Sequence, residues 1–216
     1  MIPNIRINAA VDDRIFFTSL GSATKHFYYQ DSSINKIRFL NIPKNASQFV
    51  RNSFLFFKNN TGEPISFSII REPRERFISM YKYAINVIES FDILVDILKN
   101  NKNIDAHRIA KVGVEHLLPQ TFFVDNAPKE WKSGCQLITM DDFFANGPNV
   151  GLQSLGIEPS MELPNIKVNS TDDYPENEYY ELVDKIDNQY KEFFDDYFAQ
   201  DVELYEKAVK HTILSS

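Results

Sequence analysis

Glycine is scarce in this chain, with seven among 216 residues, and none lies in the segment that reads as a phosphate-binding turn. That weighs against a nucleotide phosphotransferase, whose phosphate loop is glycine-rich and ends in Gly-Lys-Ser/Thr. Cysteine occurs once, at Cys135, which excludes an internal disulfide and fits a reducing compartment. A lone cysteine of this kind reads as a small core residue rather than a nucleophile. No run approaches the roughly 20 apolar residues of a membrane span. The opening Met1-Ile-Pro-Asn-Ile-Arg6 has no basic segment leading into an apolar one, so no signal peptide is expected, and the location expected is cytoplasmic. Excess positive charge is lacking too. The formal net charge is −7, which argues against a general nucleic-acid binder. There is no internal repeat, low-complexity tract or interdomain linker, and the length suits a single domain over 1–216, with 1–35 an N-terminal extension of unassigned structure.

What is present is an aromatic-rich globular composition, with 18 Phe and 10 Tyr, 43% hydrophobic and 25% charged residues. The charge is unevenly placed. Residues 172–206 hold thirteen acidic side chains against Lys185 and Lys191. Residues 36–82 hold nine basic side chains against Glu63, Glu72 and Glu75. The positive charge gathers around Ile37–Ile42, an apolar run read as a buried strand, and the turn Pro43-Lys44-Asn45-Ala46-Ser47-Gln48 behind it. Ser47 to Lys58 reads as a helix, ended by Asn59-Asn-Thr-Gly62. Strand, lysine turn and helix in that order make an anion site, because N–H groups at a helix start point outward unpaired and Lys44 adds a full charge beside them.

Pro64–Ile70 reads as a second buried strand, and Pro73 suits the first turn of a helix running to about Glu89. Lys44 and Arg71 are 27 residues apart, close to the roughly 30 of a strand–helix–strand crossover. Such a unit places both at the carboxyl edge of neighbouring parallel strands, where α/β sheets bind ligands. Further helices are expected over Phe91–Asn100 and Asp105–Leu118. A strand is expected over Gln136–Met140, with a short acid-capped helix from Asp141 to Phe144. Gly147–Asn169 reads mostly as loop, and Glu176–Phe198 and Asp201–His211 as two C-terminal helices. Arg14–Thr18 is a candidate short strand.

The second chemical segment is Arg71-Glu72-Pro73-Arg74-Glu75-Arg76-Phe77-Ile78-Ser79. An arginine fork at a strand end and a hydroxyl eight residues on, two turns into the helix, suit a phosphate monoester. Arg74 and Arg76 read more simply as a solvated helix face with short-range ion pairs, and Ser47 as a helix cap. Together the two segments resemble the PAPS-dependent sulfotransferases, especially the carbohydrate sulfotransferase branch. PAPS is 3′-phosphoadenosine 5′-phosphosulfate. In that family a strand ending in Pro-Lys with small residues binds the 5′-phosphosulfate, and an Arg-(Asp/Glu)-Pro-x-x-Arg-x-x-Ser segment binds the 3′-phosphate. Gln136–Phe144, Asn165–Ser170, Tyr174 and Tyr197–Tyr205 are weaker likenesses, so the resemblance spans about 36–206. This turn departs from the family in lacking glycine after the lysine, and Gln48 stands where Ser or Thr is common.

The resemblance implies a P-loop-containing three-layer α/β fold with a central, mainly parallel sheet flanked by helices. It also implies sulfuryl transfer from PAPS, as donor co-substrate, to an acceptor hydroxyl on a carbohydrate or other small molecule. Pro43, Lys44, Asn45, Ala46, Ser47, Gln48, Arg71 and Ser79 would bind the donor. Lys44 would stabilise the leaving phosphate by a hydrogen bond, with no metal expected. The acceptor must lose a proton, so a general base is required. Of His26, His107, His116 and His211, the first candidate is His116, because Val114-Glu-His-Leu-Leu-Pro-Gln120 is similar to a His-x-x-Pro-Gln stretch in several carbohydrate sulfotransferases. A structural histidine at a helix end is the alternative. Glu115 follows, then His107 and His26, with His211 expected at the surface. The competing functional readings are a P-loop kinase and a non-catalytic protein that binds PAPS or its bisphosphate product.

Overall fold

The computed structural model describes residues 29–32, 36–84, 88–100, 119–125, 127–165, 175–211 and 214. Its centre is a four-stranded sheet in the order β1 (Tyr29–Ser32), β2 (Ile37–Leu40), β4 (Ile65–Ile70) and β5 (Cys135–Thr139). β2, β4 and β5 run parallel, with Phe39 opposite Phe67 and Ile70 opposite Thr139, and β1 is an antiparallel edge. All six residues of β4 are buried, as a central parallel strand covered on both faces requires. The chain is therefore mixed α/β with a mainly parallel sheet, as its sequence implies.

Alternation along the strands divides the core. Ile37, Phe39, Phe67, Ile69 and Ile138 pack on one face against α1 (Ser47–Ser53), α6 (Met140–Ala145) and α7 (Pro148–Ser154). Leu40, Ile42, Ile70 and Leu137 pack on the other against α4 (Gln120–Asp125) and α10 (Ala199–Val209). A third cluster joins α2 (Pro73–Ala84), α3 (Phe91–Asn100), α8 (Glu176–Asp184) and α9 (Lys191–Tyr197). There the Phe77 ring meets Phe91, Phe194 and Phe198 at centroid distances of 5.3, 5.9 and 5.3 Å. The short α5 (Lys129–Lys132) leads into β5.

Several boundaries differ from the sequence reading. The helix expected to reach Lys58 ends at Ser53. A tight turn over Phe54–Phe56 follows, then β3 (Phe57–Asn59), which pairs antiparallel with β6 (Ile157–Pro159). Pairing with a segment a hundred residues away, together with burial of Phe54 and Phe57, overrides the local helical pattern. The stretch expected to be loop from Gly147 instead holds α7 and β6. Gly147 at φ 86° sets up Pro148 for the first helical turn. Gly151 belongs inside α7 because a Cβ there would lie 2.4 Å from the Phe143 carbonyl oxygen. The single helix expected over Glu176–Phe198 is broken by a wide turn at Lys185–Gln189, where the Tyr190 N–H reaches back to the Lys185 carbonyl and the Tyr190 ring packs on Phe91. The strand expected over Arg14–Thr18 and the helix over Asp105–Leu118 fall outside the described residues.

Candidate functional site

β2 and β4 end side by side, so Lys44 and Arg71 emerge at one edge of the sheet. The Lys44 turn is bent through two left-handed residues, Lys44 at φ 71° and Ala46 at φ 57°. Each costs roughly 1 kcal/mol or more for a residue with a Cβ. The buried polar groups around the turn hold it in that shape. The Asn45 side chain is turned inward, donating to the Ile69 carbonyl (2.9 Å) and to Gln120 Oε1 (2.5 Å). Asn45 therefore anchors the turn with its side chain, and the strained angles fall on its two neighbours. Ala46, rather than Ser47, is the residue preceding α1, and no side-chain cap is made there. Ser47 is half-buried and Gln48 exposed.

Arg71 is buried, and its Nη1 donates to the Lys44 carbonyl at 3.3 Å while its Nε faces Glu75 at 3.4 Å. Burial lowers the Arg71 pKa, an effect opposed by Glu75. Glu72 accepts the Glu75 N–H at 2.8 Å, which opens α2, and burial raises its own pKa. Ser79 sits on α2, 2% exposed.

Arg76 corrects the sequence reading. It is 1% exposed, not on a solvated face, and its Nε donates to the Pro43 carbonyl at 3.2 Å. Among the described residues, its two terminal nitrogens are buried without hydrogen-bond partners. Burial lowers its pKa to about 10, partly offset by Asp201, so the guanidinium stays charged at neutral pH. Arg74 does take the surface role, pairing with Asp187 at 3.1 Å. The sequence offers only a hint, that Arg76 heads the largely apolar run Phe77–Tyr81.

Lys44 thus stands over two buried guanidinium groups. Burial, then Arg71, Lys82 and Arg76 in that order, lower its pKa to about 8. Its Nζ lies 5.1 Å from the centroid of the Tyr83 ring, and among the described residues no carboxylate pairs with it. Positive charge concentrated in this way, without a matching carboxylate at its tip, is the electrostatic condition for holding an anion.

Gln120 and Asp201 support the site although the sequence reading assigned neither to it. Gln120 Oε1 accepts the Arg71 N–H at 3.0 Å and its Nε2 donates to the Arg71 carbonyl at 2.9 Å. Asp201, from α10, accepts the N–H groups of Gln120 and Thr121 at 2.8 and 2.9 Å and the Thr121 hydroxyl at 3.0 Å. The Pro-Gln dipeptide was visible in the sequence, but nothing local marks Asp201.

His116, with Glu115, His107 and His26, lies outside the described residues. His211 is exposed, 3.8 Å from Asp142. Cys135 is fully buried, and burial pushes its thiol up to about 12, which suits a core residue. Among the described residues no cluster of three or more histidine, cysteine or acidic side chains is arranged to hold a metal, and no helix is long and apolar enough to cross a membrane. Comparison with protein-family models, curated proteins and solved structures finds no match.

Proposed function

We propose that this chain is a sulfotransferase, moving the sulfuryl group of PAPS to the hydroxyl of a small or carbohydrate acceptor. The observation that carries the reading is the meeting of the Lys44 turn and Arg71 at adjoining parallel strand ends, backed by the buried Arg76. In this reading the turn is a glycine-free phosphate loop. Two left-handed residues and a buried Asn45 give it the shape that glycines give elsewhere.

Lys44 faces the 5′-phosphosulfate, while Arg71 and Ser79 take the 3′-phosphate. The acceptor oxygen attacks sulfur in line as the bond from sulfur to the bridging phosphate oxygen breaks. The acceptor proton passes to a base, for which His116 is the first candidate. Negative charge grows on the bridging oxygen, and protonated Lys44 hydrogen-bonds to it. A lysine with a pKa near 8 holds its proton at neutral pH yet is less strongly hydrated than an exposed one, so its charge acts with less screening. Anchoring the distant 3′-phosphate spends remote binding energy on orienting the reacting end.

The test is a thermal-shift and transfer experiment. 3′,5′-Adenosine bisphosphate without magnesium is expected to raise the melting temperature more than ATP with magnesium does, and label from sulfur-35 PAPS is expected to reach a member of an acceptor panel. An equal or reversed nucleotide response refutes the donor assignment. A bisphosphate response without transfer to any acceptor leaves a binding protein rather than an enzyme.

A further inference from the structure

The Lys44 turn and the Arg71 strand end are joined by one completely buried side chain, Gln120. Its carbonyl oxygen accepts from Asn45 Nδ2 on the turn and from the Arg71 N–H. Its amide nitrogen donates to the Arg71 carbonyl. Gln120 therefore satisfies both backbone groups of Arg71, as a neighbouring strand would, while holding the inward-turned Asn45. Its own backbone is fixed in turn by Asp201. Three direct links also cross between the halves, Asn45 Nδ2 to the Ile69 carbonyl at 2.9 Å, Arg76 Nε to the Pro43 carbonyl at 3.2 Å and Arg71 Nη1 to the Lys44 carbonyl at 3.3 Å. Of these contacts, Gln120 alone fixes the backbone of Arg71 itself.

We propose that Gln120 is a positioning residue that sets the spacing between the Lys44 turn and Arg71, and so makes the site selective for a ligand carrying two phosphate-like groups over one carrying a single such group. The inference rests on the proposed PAPS reading, in which the two ends of one nucleotide occupy these two positions. A two-ended ligand gains from a fixed spacing because binding one end presents the other at high effective concentration. That gain falls when the two halves move independently. A one-ended ligand meets only one half and gains nothing from the link.

The experiment compares the dissociation constants of 3′,5′-adenosine bisphosphate, adenosine 5′-monophosphate and adenosine 3′-monophosphate by titration calorimetry on the full chain, without magnesium. The variants are Gln120→Leu, which loses all three side-chain bonds, and Gln120→Glu, which keeps the accepted bonds and loses the donated one. The wild type is expected to prefer the bisphosphate strongly. Gln120→Leu should lower that preference by on the order of tenfold or more while both monophosphates bind nearly as before. Gln120→Glu should lower it less, through the Arg71 end, but its carboxylate also repels the more highly charged ligand. The neutral and nearly isosteric Gln120→Met therefore carries the test if the leucine variant does not fold. A folded variant in which the preference stays at the wild-type ratio overturns the inference, whether its absolute affinities are unchanged or all weaken together. A wild type that binds the bisphosphate no better than the monophosphates overturns the PAPS reading itself, a separate result.

Discussion

Replacing Lys44 with methionine is expected to make the ligand-free protein more stable and at the same time unable to respond to 3′,5′-adenosine bisphosphate. The pKa of Lys44 falls from 10.5 to about 8 in the folded chain, chiefly through burial and then through Arg71, Lys82 and Arg76. At roughly 1.36 kcal/mol per pKa unit this is a penalty of about 3 kcal/mol on holding the charge there. Lys44 is only half-buried, so solvent screening reduces the figure. Loss of the contact with Tyr83 offsets about 0.5–1 kcal/mol more. A net gain of about 1–2 kcal/mol is expected at pH 7, or a melting temperature higher by about 2–8 °C for a chain of this length.

The pH dependence has a definite sign. Below pH 8 both the folded and unfolded wild type carry the proton, and the penalty is present in full. Between about 8 and 10.5 the unfolded chain retains a proton that the folded one has released, so wild-type stability rises with pH. The advantage of Lys44→Met should therefore shrink through that window. Calorimetric melting from pH 7 to pH 10 reads both effects. A variant that melts below the wild type at pH 7, or an advantage that grows with pH, refutes the electrostatic account. A full response to the bisphosphate removes Lys44 from the binding site.

Arg76→Met takes the buried donor from the Pro43 carbonyl and the nearby cation from Asp201, a loss of about 1–3 kcal/mol. It also relieves the burial that holds the Arg76 pKa down to about 10, so a net loss of about 1 kcal/mol is expected. The urea midpoint should fall with an unchanged slope, and a midpoint equal to the wild type would show that the cost of burying the guanidinium cancels its contacts. Gly151→Ala forces a Cβ to within 2.4 Å of the Phe143 carbonyl oxygen, so α6 and α7 must separate. A loss of about 1–3 kcal/mol is expected from thermal unfolding, and a loss below a few tenths would mean the two helices slide apart freely.

The parallel strands and the Lys44–Arg71 edge were legible because buried parallel strands are continuous apolar runs, and the crossover spacing leaves few arrangements. The end of α1 at Ser53 was not legible. Phe54 and Phe57 satisfy a helical pattern as well as an extended one, and the deciding partner, β6, lies a hundred residues away. Arg76 was misplaced because charge near the start of a helix is usually solvated. Only the fold shows that this turn of α2 faces the Pro43 carbonyl. Asp201 is one of thirteen acidic residues in its region, and nothing in its neighbours distinguishes a carboxylate that seats Gln120 from those facing water.

The bond from Gln120 to Asp201 spans 81 residues, and this has a bearing on how the protein is made. During synthesis the sheet strands that present Lys44 and Arg71 are complete once residue 139 has emerged, but the carboxylate that fixes α4 arrives some sixty residues later. Contacts of such long sequence separation form late, and a nascent chain exposes its residues in order. On the proposed role of Gln120, the lysine turn and the arginine reach their spacing only after α10 docks, so a response to the bisphosphate would also report that docking.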